Sequence, residues 1–196
     1  KDITAQLCEN PKKFHEDLLF EEKEKTIDLE TVERICAKIL EAEQPVLYIG
    51  GGIVTADAAD EILELAEKLQ LPVTPTLMGL GGFPSAHDLC LGMLGMHGTF
   101  AANMAIAESD LLIAVGVRFD DRVTGKLATF APNAEVIHID IAASNIGKIR
   151  KPNIALQADA KTALKAILEK LEEAKTRSIS TNRREWWNQL NTWRNS

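Results

Sequence analysis

A chain of 196 residues is one large domain or two small ones, long enough to bury a substantial core, which excludes a stapled mini-protein. Hydrophobic residues at 45% and charged residues at 26% are ordinary for a chain that folds in water, and they exclude disorder, collagen-like repeats and low complexity. A net charge of -7 argues against nucleic acid or an anionic membrane as partner, and no apolar run approaches the roughly 20 residues that span a bilayer. Cys8, Cys36 and Cys90 share no metal-ligand or redox spacing, so ordinary thiols in a reducing, cytoplasmic setting are expected. The opening Lys1-Asp2-Ile3-Thr4 lacks an initiator Met and a signal-type stretch, and it reads as an internal piece of a longer chain.

Residues 1–27, charge-rich and weakly patterned around Pro11 and Leu18-Leu19-Phe20, are expected to form an interdomain linker. Asp28 is placed to cap a helix in which Leu29, Val32, Ile35 and Ile39 recur at helical spacing until Pro45 stops it. Val46-Leu47-Tyr48-Ile49 then reads as a strand, Gly50-Gly51-Gly52 as a turn, and Ala58, Ile62, Leu65, Ala66 and Leu69 as one face of a second helix. Further strands are expected near Pro72 to Leu77, Leu111 to Val115, Val136 to Ile139 and Ile154 to Gln157, with helices following most of them. Apolar strands alternating with amphipathic helices require crossovers, so the fold class is α/β: a doubly wound, Rossmann-like parallel sheet with helices on both faces, over residues 28–175. A helix from about Ala160 to Lys175 closes it. Residues 176–196 are expected to be a C-terminal linker helix leading to another domain, with Trp186, Trp187 and Trp193 packing either on a neighbour or back onto this domain.

Ligands of an open parallel sheet bind outside the carboxyl ends of its strands, and the unusual residues collect there. Gly50-Gly51-Gly52 removes every Cβ where the chain turns into a helix, a geometry that admits a phosphate or serves the turn alone. Gly92 to Thr99 is a glycine-rich loop around Met96 and His97, better suited to a flat apolar ring than to a metal, for which His97 has no partner at ligand spacing. Arg118, Asp120, Asp121 and Arg122 follow a buried strand directly; the Arg side chains suit a pyrophosphate, and a self-contained ion-pair network is the alternative. Asp140 is placed to accept from ribose hydroxyls or to cap the next turn. No catalytic triad, P-loop lysine or carboxylate cluster for a metal is recognisable, so neither a catalytic nor a metal-ligating residue is assigned.

Thr76-Leu77-Met78-Gly79-Leu80-Gly81, Leu94-Gly95-Met96-His97-Gly98-Thr99 and, above all, Gly116-Val117-Arg118-Phe119-Asp120-Asp121-Arg122-Val123-Thr124-Gly125 resemble the central domain of acetohydroxyacid (acetolactate) synthase catalytic subunits. The order and gaps match from Lys1 to about Leu171. The resemblance implies a domain that binds an extended FAD taking no net redox part, in an enzyme that uses thiamine diphosphate and Mg²⁺ in its other domains. That enzyme condenses pyruvate with pyruvate or 2-oxobutanoate in branched-chain amino acid synthesis. Carried over by motif, the flavin contacts are Gly50, Gly51, Gly52, Thr76, Leu77, Met78, Leu94, Gly95, Met96 and His97, then Gly116, Val117, Arg118, Asp120, Arg122 and Val123, then Asp140, Ile141, Asp159 and Ala160. Met96, Asp121 and Arg122 also match positions near the family's substrate channel and inhibitor site. The stretch Ile139 to Ile146 lacks the second Asp and the Glu that the family commonly carries there, and Ala158 stands where it has Gly. The motifs that hold thiamine diphosphate and Mg²⁺ are absent, so this piece is expected to be inactive alone, within a homodimer or tetramer of full-length chains with a regulatory small subunit as a further partner. The alternatives are another thiamine-diphosphate enzyme, such as the FAD-binding glyoxylate carboligase or the FAD-free catabolic acetolactate synthase, and a free-standing nucleotide-binding module.

Overall fold

The computed structural model describes residues 27–173 and 183–196, with Asp121 and Arg122 described by their backbone alone. The expected linker 1–27 (but for Ile27), Cys8 and the stretch 174–182 lie outside the described residues. Five strands, β1 (Pro45–Ile49), β2 (Val73–Pro75), β3 (Leu111–Val115), β4 (Glu135–Asp140) and β5 (Ile154–Gln157), form one sheet in the order β2-β1-β3-β4-β5, every neighbouring pair parallel. β1 and β3 are buried throughout, as expected of strands covered on both faces.

Helices α1 (Leu29–Glu41), α2 (Gly51–Thr55), α3 (Ala59–Leu69), α4 (Phe100–Glu108), α5 (Asp121–Thr124), α6 (Ala160–Glu173) and α7 (Arg183–Arg194) surround the sheet. The Asp28 carboxylate caps α1, accepting from the Thr31 N–H at 3.2 Å. Side chains alternate along each strand between two cores. On one face Leu47, Ile49, Ile113 and Val115 pack with Ile35 and Ile39 of α1, Ile62 and Leu65 of α3, and Leu164 and Ile167 of α6. On the other, Val46, Tyr48, Leu112 and Ala114 pack with Ala102 and Ala105 of α4 and with Trp186 and Leu190 of α7.

Two local expectations are corrected, and one pairing is new. The second strand stops at Pro75, because Thr76 caps a single 3₁₀ turn, Leu77–Gly79, by accepting from the Gly79 N–H at 3.0 Å. The helix after the glycine turn is two helices, α2 and α3, because Asp57 takes a left-handed φ of 50° between them. Residues 89–91 run beside β2, where the Val73 N–H donates to Leu89 O at 2.8 Å and the Leu91 N–H donates to Val73 O at 2.8 Å; no turn signal or alternation marks this run.

The tryptophan helix lies back on the sheet. Trp186 is buried and its indole N–H donates to Pro45 O at 3.2 Å, while the Trp187 indole N–H donates to Gln70 O at 2.9 Å. The buried Arg183 guanidinium donates to Ile39 O and Leu69 O, carbonyls at the C-terminal ends of α1 and α3 where a cation is favoured. Trp186→Ala is therefore expected to lower the unfolding free energy by about 3–5 kcal/mol in urea denaturation. A change below about 0.5 kcal/mol, usual for a surface position, would show that the stripe packs elsewhere.

Candidate functional site

In the order β2-β1-β3, the chain leaves β1 for β2 on one side and returns to β3 on the other, so a crevice opens between the carboxyl ends of β1 and β3. A cavity of about 1190 Å³ lies there, lined by residues following each of the five strands, including Gly50, Thr76, Gly116, Ile141 and Asp159. It exceeds the roughly 300–1,000 Å³ of pockets for drug-sized ligands. Of the flavin contacts carried over by motif, every one whose side chain is described lines it except Gly95.

The glycine turn is built differently from a phosphate cradle. The Gly50 N–H donates to Val115 O at 3.0 Å and the Gly52 N–H to Gly116 O at 3.1 Å, so both donors are spent on the end of β3. A Cβ on Gly50 would stand 2.2 Å from Gly116 O, and one on Gly52 would stand 2.6 Å from the Gly116 Cα. Gly116 itself takes φ of 62°. These glycines let two backbones touch, and the crevice opens directly above their contact.

The loop after β3 alternates. Val117 and Phe119 are buried, while Arg118 and Asp120 are exposed and line the cavity. The Asp120 carbonyl accepts from the Val123 and Thr124 N–H groups at 3.0 Å and 3.0 Å, opening α5. Beneath the loop, the His138 ring meets Val117 O at 3.0 Å through Nε2. A carbonyl only accepts, so Nε2 carries the proton, and burial pushes the His138 pKa below its ordinary value, keeping the ring neutral. His138 Nδ1 and the Tyr48 hydroxyl are buried with no hydrogen-bond partner among the described residues. Tyr48 also lines the cavity, and burial, followed by the Asp120 charge, pushes its pKa up.

The two ends of the cavity differ chemically. Beyond β2 and the long loop stand Leu77, Met78 and Met96, all exposed large apolar side chains. Beyond β4 and β5 stand Asp140 and Asp159. One Asp140 oxygen accepts from the Ala142 N–H at 2.8 Å, and the Asn145 amide donates to both Asp140 oxygens at 3.2 Å and 3.3 Å. Asp140 thus caps the turn after β4, one of its two expected roles, while still facing the cavity. Asp159 caps α6, accepting from the Thr162 N–H at 3.1 Å.

Gly95 is turned away because its backbone is held from behind: its N–H donates to Asn103 Oδ1 at 3.0 Å, and Asn103 Nδ2 donates back to its carbonyl at 3.1 Å. The Arg122 side chain lies outside the described residues. Sequence reading missed Tyr48, Phe119 and Asn145 in the lining and Asn103 behind it. Tyr48 read as part of a strand and Phe119 as one position of the charged motif, while Asn103 carried no signal of its own. Only Asn145, five residues beyond an acidic strand end, carried a usable signal. Cys36 is buried and its thiol is pushed up to about 11 by burial, as befits a packing residue. Among the described residues, no group of three or more His, Cys, Asp or Glu is placed to hold a metal ion, and no helix is long and apolar enough to cross a membrane.

A doubly wound parallel sheet with a large crevice at its switch point defines a Rossmann-like class of α/β domain. Within that class, the family model described as thiamine pyrophosphate enzyme, central domain, matches residues 32–167, and the chain belongs to this family. The acetolactate synthase large subunit of Cyanidium caldarium is 48% identical over 163 residues, covering 83% of this chain and 28% of its own length. Isozyme 3 of the same subunit from Escherichia coli (strain K12) is 44% identical over 163 residues, 83% of this chain and 28% of its own. The Corynebacterium glutamicum acetolactate synthase large subunit is 50% identical over 151 residues, 76% of this chain and 24% of its own. The chain thus spans about a quarter of the length of these relatives.

Gly52→Ala is expected to destabilise the chain by about 1–3 kcal/mol in chemical denaturation, because the new methyl meets backbone that has nowhere to retreat. Unchanged stability would contradict the interlock. For His138 the folded-state pKa lies below the ordinary 6.5. As pH falls through that value, the unfolded chain therefore binds a proton that the folded chain refuses, so stability is fully present above it and lost below it. His138→Gln keeps a donor to Val117 O and is expected to lose less stability than the parent chain between about pH 7 and 5.5. Parallel stability curves for the two chains would refute this placement of the charge.

Proposed function

We propose that residues 28–175 are the flavin-binding central domain of an acetolactate synthase large subunit, with FAD lying extended across the carboxyl edge of the sheet. The observation that carries the reading is the cavity at the switch point, with exposed apolar side chains at its β2 end, Arg118 beside Asp120 at its middle and two aspartates at its β4–β5 end. That arrangement fits a flat apolar ring system, then a pyrophosphate, then a ribose and adenine, in that order. Leu77, Met78 and Met96 would receive the isoalloxazine, Arg118 the pyrophosphate, and Asp140, with its carboxylate already oriented by Asn145, the ribose hydroxyls. The buried Tyr48 hydroxyl supports a polar occupant above it, since a hydroxyl without a partner is costly and a bound acceptor would relieve it.

In this reading the flavin is a structural element with no net redox part. This chain's residues bind and orient it and shield its ring from water. The names of the relatives support pyruvate as the substrate of the whole enzyme; in this reading its condensation partner is a second pyruvate or 2-oxobutanoate. The family name supports thiamine diphosphate, which in this reading is held with Mg²⁺ by other domains. Full-length chains would assemble as a homodimer or tetramer, with a regulatory small subunit as a further partner, in the cytoplasm.

Titrating the purified chain with FAD while following flavin absorbance and fluorescence tests the assignment. Saturable binding in the micromolar range is expected, and Arg118→Ala should weaken it about tenfold or more, the worth of one charge-assisted hydrogen bond. Failure of both this chain and a longer enzyme containing it to bind at high micromolar flavin would overturn the reading.

A further inference from the structure

Phe119 stands out in the cleft's charged loop. It is a bulky residue at φ of 53°, in the left-handed region that strongly favours glycine, so surrounding contacts must hold it there. Those contacts are visible. Its ring is almost fully buried and meets Tyr48 of β1, His138 of β4 and Phe130 edge-on, at centroid distances of 5.7, 5.1 and 6.2 Å. Tyr48 and His138 are the two register partners of Ala114 on β3, so this small residue lies between two rings on one face of the sheet, where the ring of Phe119 seats.

On either side of Phe119 the chain points the other way. Arg118 and Asp120 are exposed and line the cavity, and the Asp120 carbonyl anchors α5 through Val123 and Thr124. We infer that Phe119 is the positioning residue of this loop: its ring, seated among Tyr48, His138 and Phe130, forces the left-handed turn that presents Arg118 and Asp120 to the ligand. The inference deepens the flavin reading and rests on it for the ligand's identity, while the loop geometry stands without it.

Glycine separates the two contributions, because it relieves the backbone and removes the ring. If the turn were set by backbone preference, Phe119→Gly would hold the loop at least as well as the parent; if the ring sets it, the loop loosens. The test is amide hydrogen exchange of the chain without ligand, paired with FAD titration. In Phe119→Gly, exchange at Val123 and Thr124 is expected to speed up at least about tenfold beyond any change at the β3 core amides, and FAD affinity to fall at least about tenfold. Phe119→Leu keeps an apolar plug and is expected to stay within about threefold of the parent in both readouts. Phe130→Ala removes one wall of the aromatic box that seats the ring; it should speed exchange at Val123 and Thr124 in the same direction but by clearly less than Phe119→Gly. Exchange at Val123 and Thr124 that merely tracks the core in Phe119→Gly, or an equal excess in Phe130→Ala, overturns the inference. FAD binding to neither the parent nor any variant overturns the flavin reading instead, and the exchange data still decide the role of Phe119.

Discussion

The backbone of Gly52 touches the backbone of Gly116, and the rest of the site depends on that contact. The N–H of Gly52 donates to the carbonyl of Gly116 at 3.1 Å, and no side chain fits between them. β1 and β3 are neighbours in a twisted parallel sheet whose order reverses at β1, so their loops diverge above the strand ends while being pinned together at the strand ends themselves. A pair of bulkier loops would fill the crevice. Glycine on both sides leaves a floor one backbone thick, and the cavity begins where the floor ends.

Support from below differs across the two faces of the sheet. The face under α1, α3 and α6 is aliphatic, an ordinary close-packed core. The face under α4 and α7 is aromatic and partly polar, with Tyr48, Phe119, Phe130, His138 and Trp186 near or within one cluster. A buried imidazole is tolerated there because it is neutral and donates to the Val117 carbonyl, which ties β4 to the loop that carries Arg118. The loop that carries Arg118 and Asp120 is thus set on groups buried in the core.

The sequence made the fold legible for a simple reason: strands buried on both faces read as continuous apolar runs, as Leu111 to Val115 does, and the half-exposed edge strand Ile154 to Gln157 is also bounded as expected. Glycine and charge clusters at strand ends likewise pointed to the crevice, because a parallel sheet has one place to bind. Long-range information was hidden. That Gly50 and Gly52 serve β3 rather than a phosphate depends on a strand some sixty positions away, and local spacing holds no trace of it. Asp57 in a left-handed turn, the run 89–91 beside β2, and Asn103 holding Gly95 from behind are likewise products of tertiary contacts. Phe119 passed as one position of the charged motif; its consequence for Arg118 is visible only in the backbone angle.

Membership of the thiamine pyrophosphate enzyme central-domain family and the likeness to acetolactate synthase large subunits place this crevice in an enzyme context, and the reading proposed for it is one extended ligand along the strand ends. The most direct measurement is amide chemical-shift mapping of the chain on addition of FAD. The account predicts changes at Met78, Met96, Gly116 to Asp120, Ile141 and Asp159 together, with silence at the smaller hollow beside Phe83 and Pro84. Shifts confined to that hollow, or to one end of the main cavity, would contradict it.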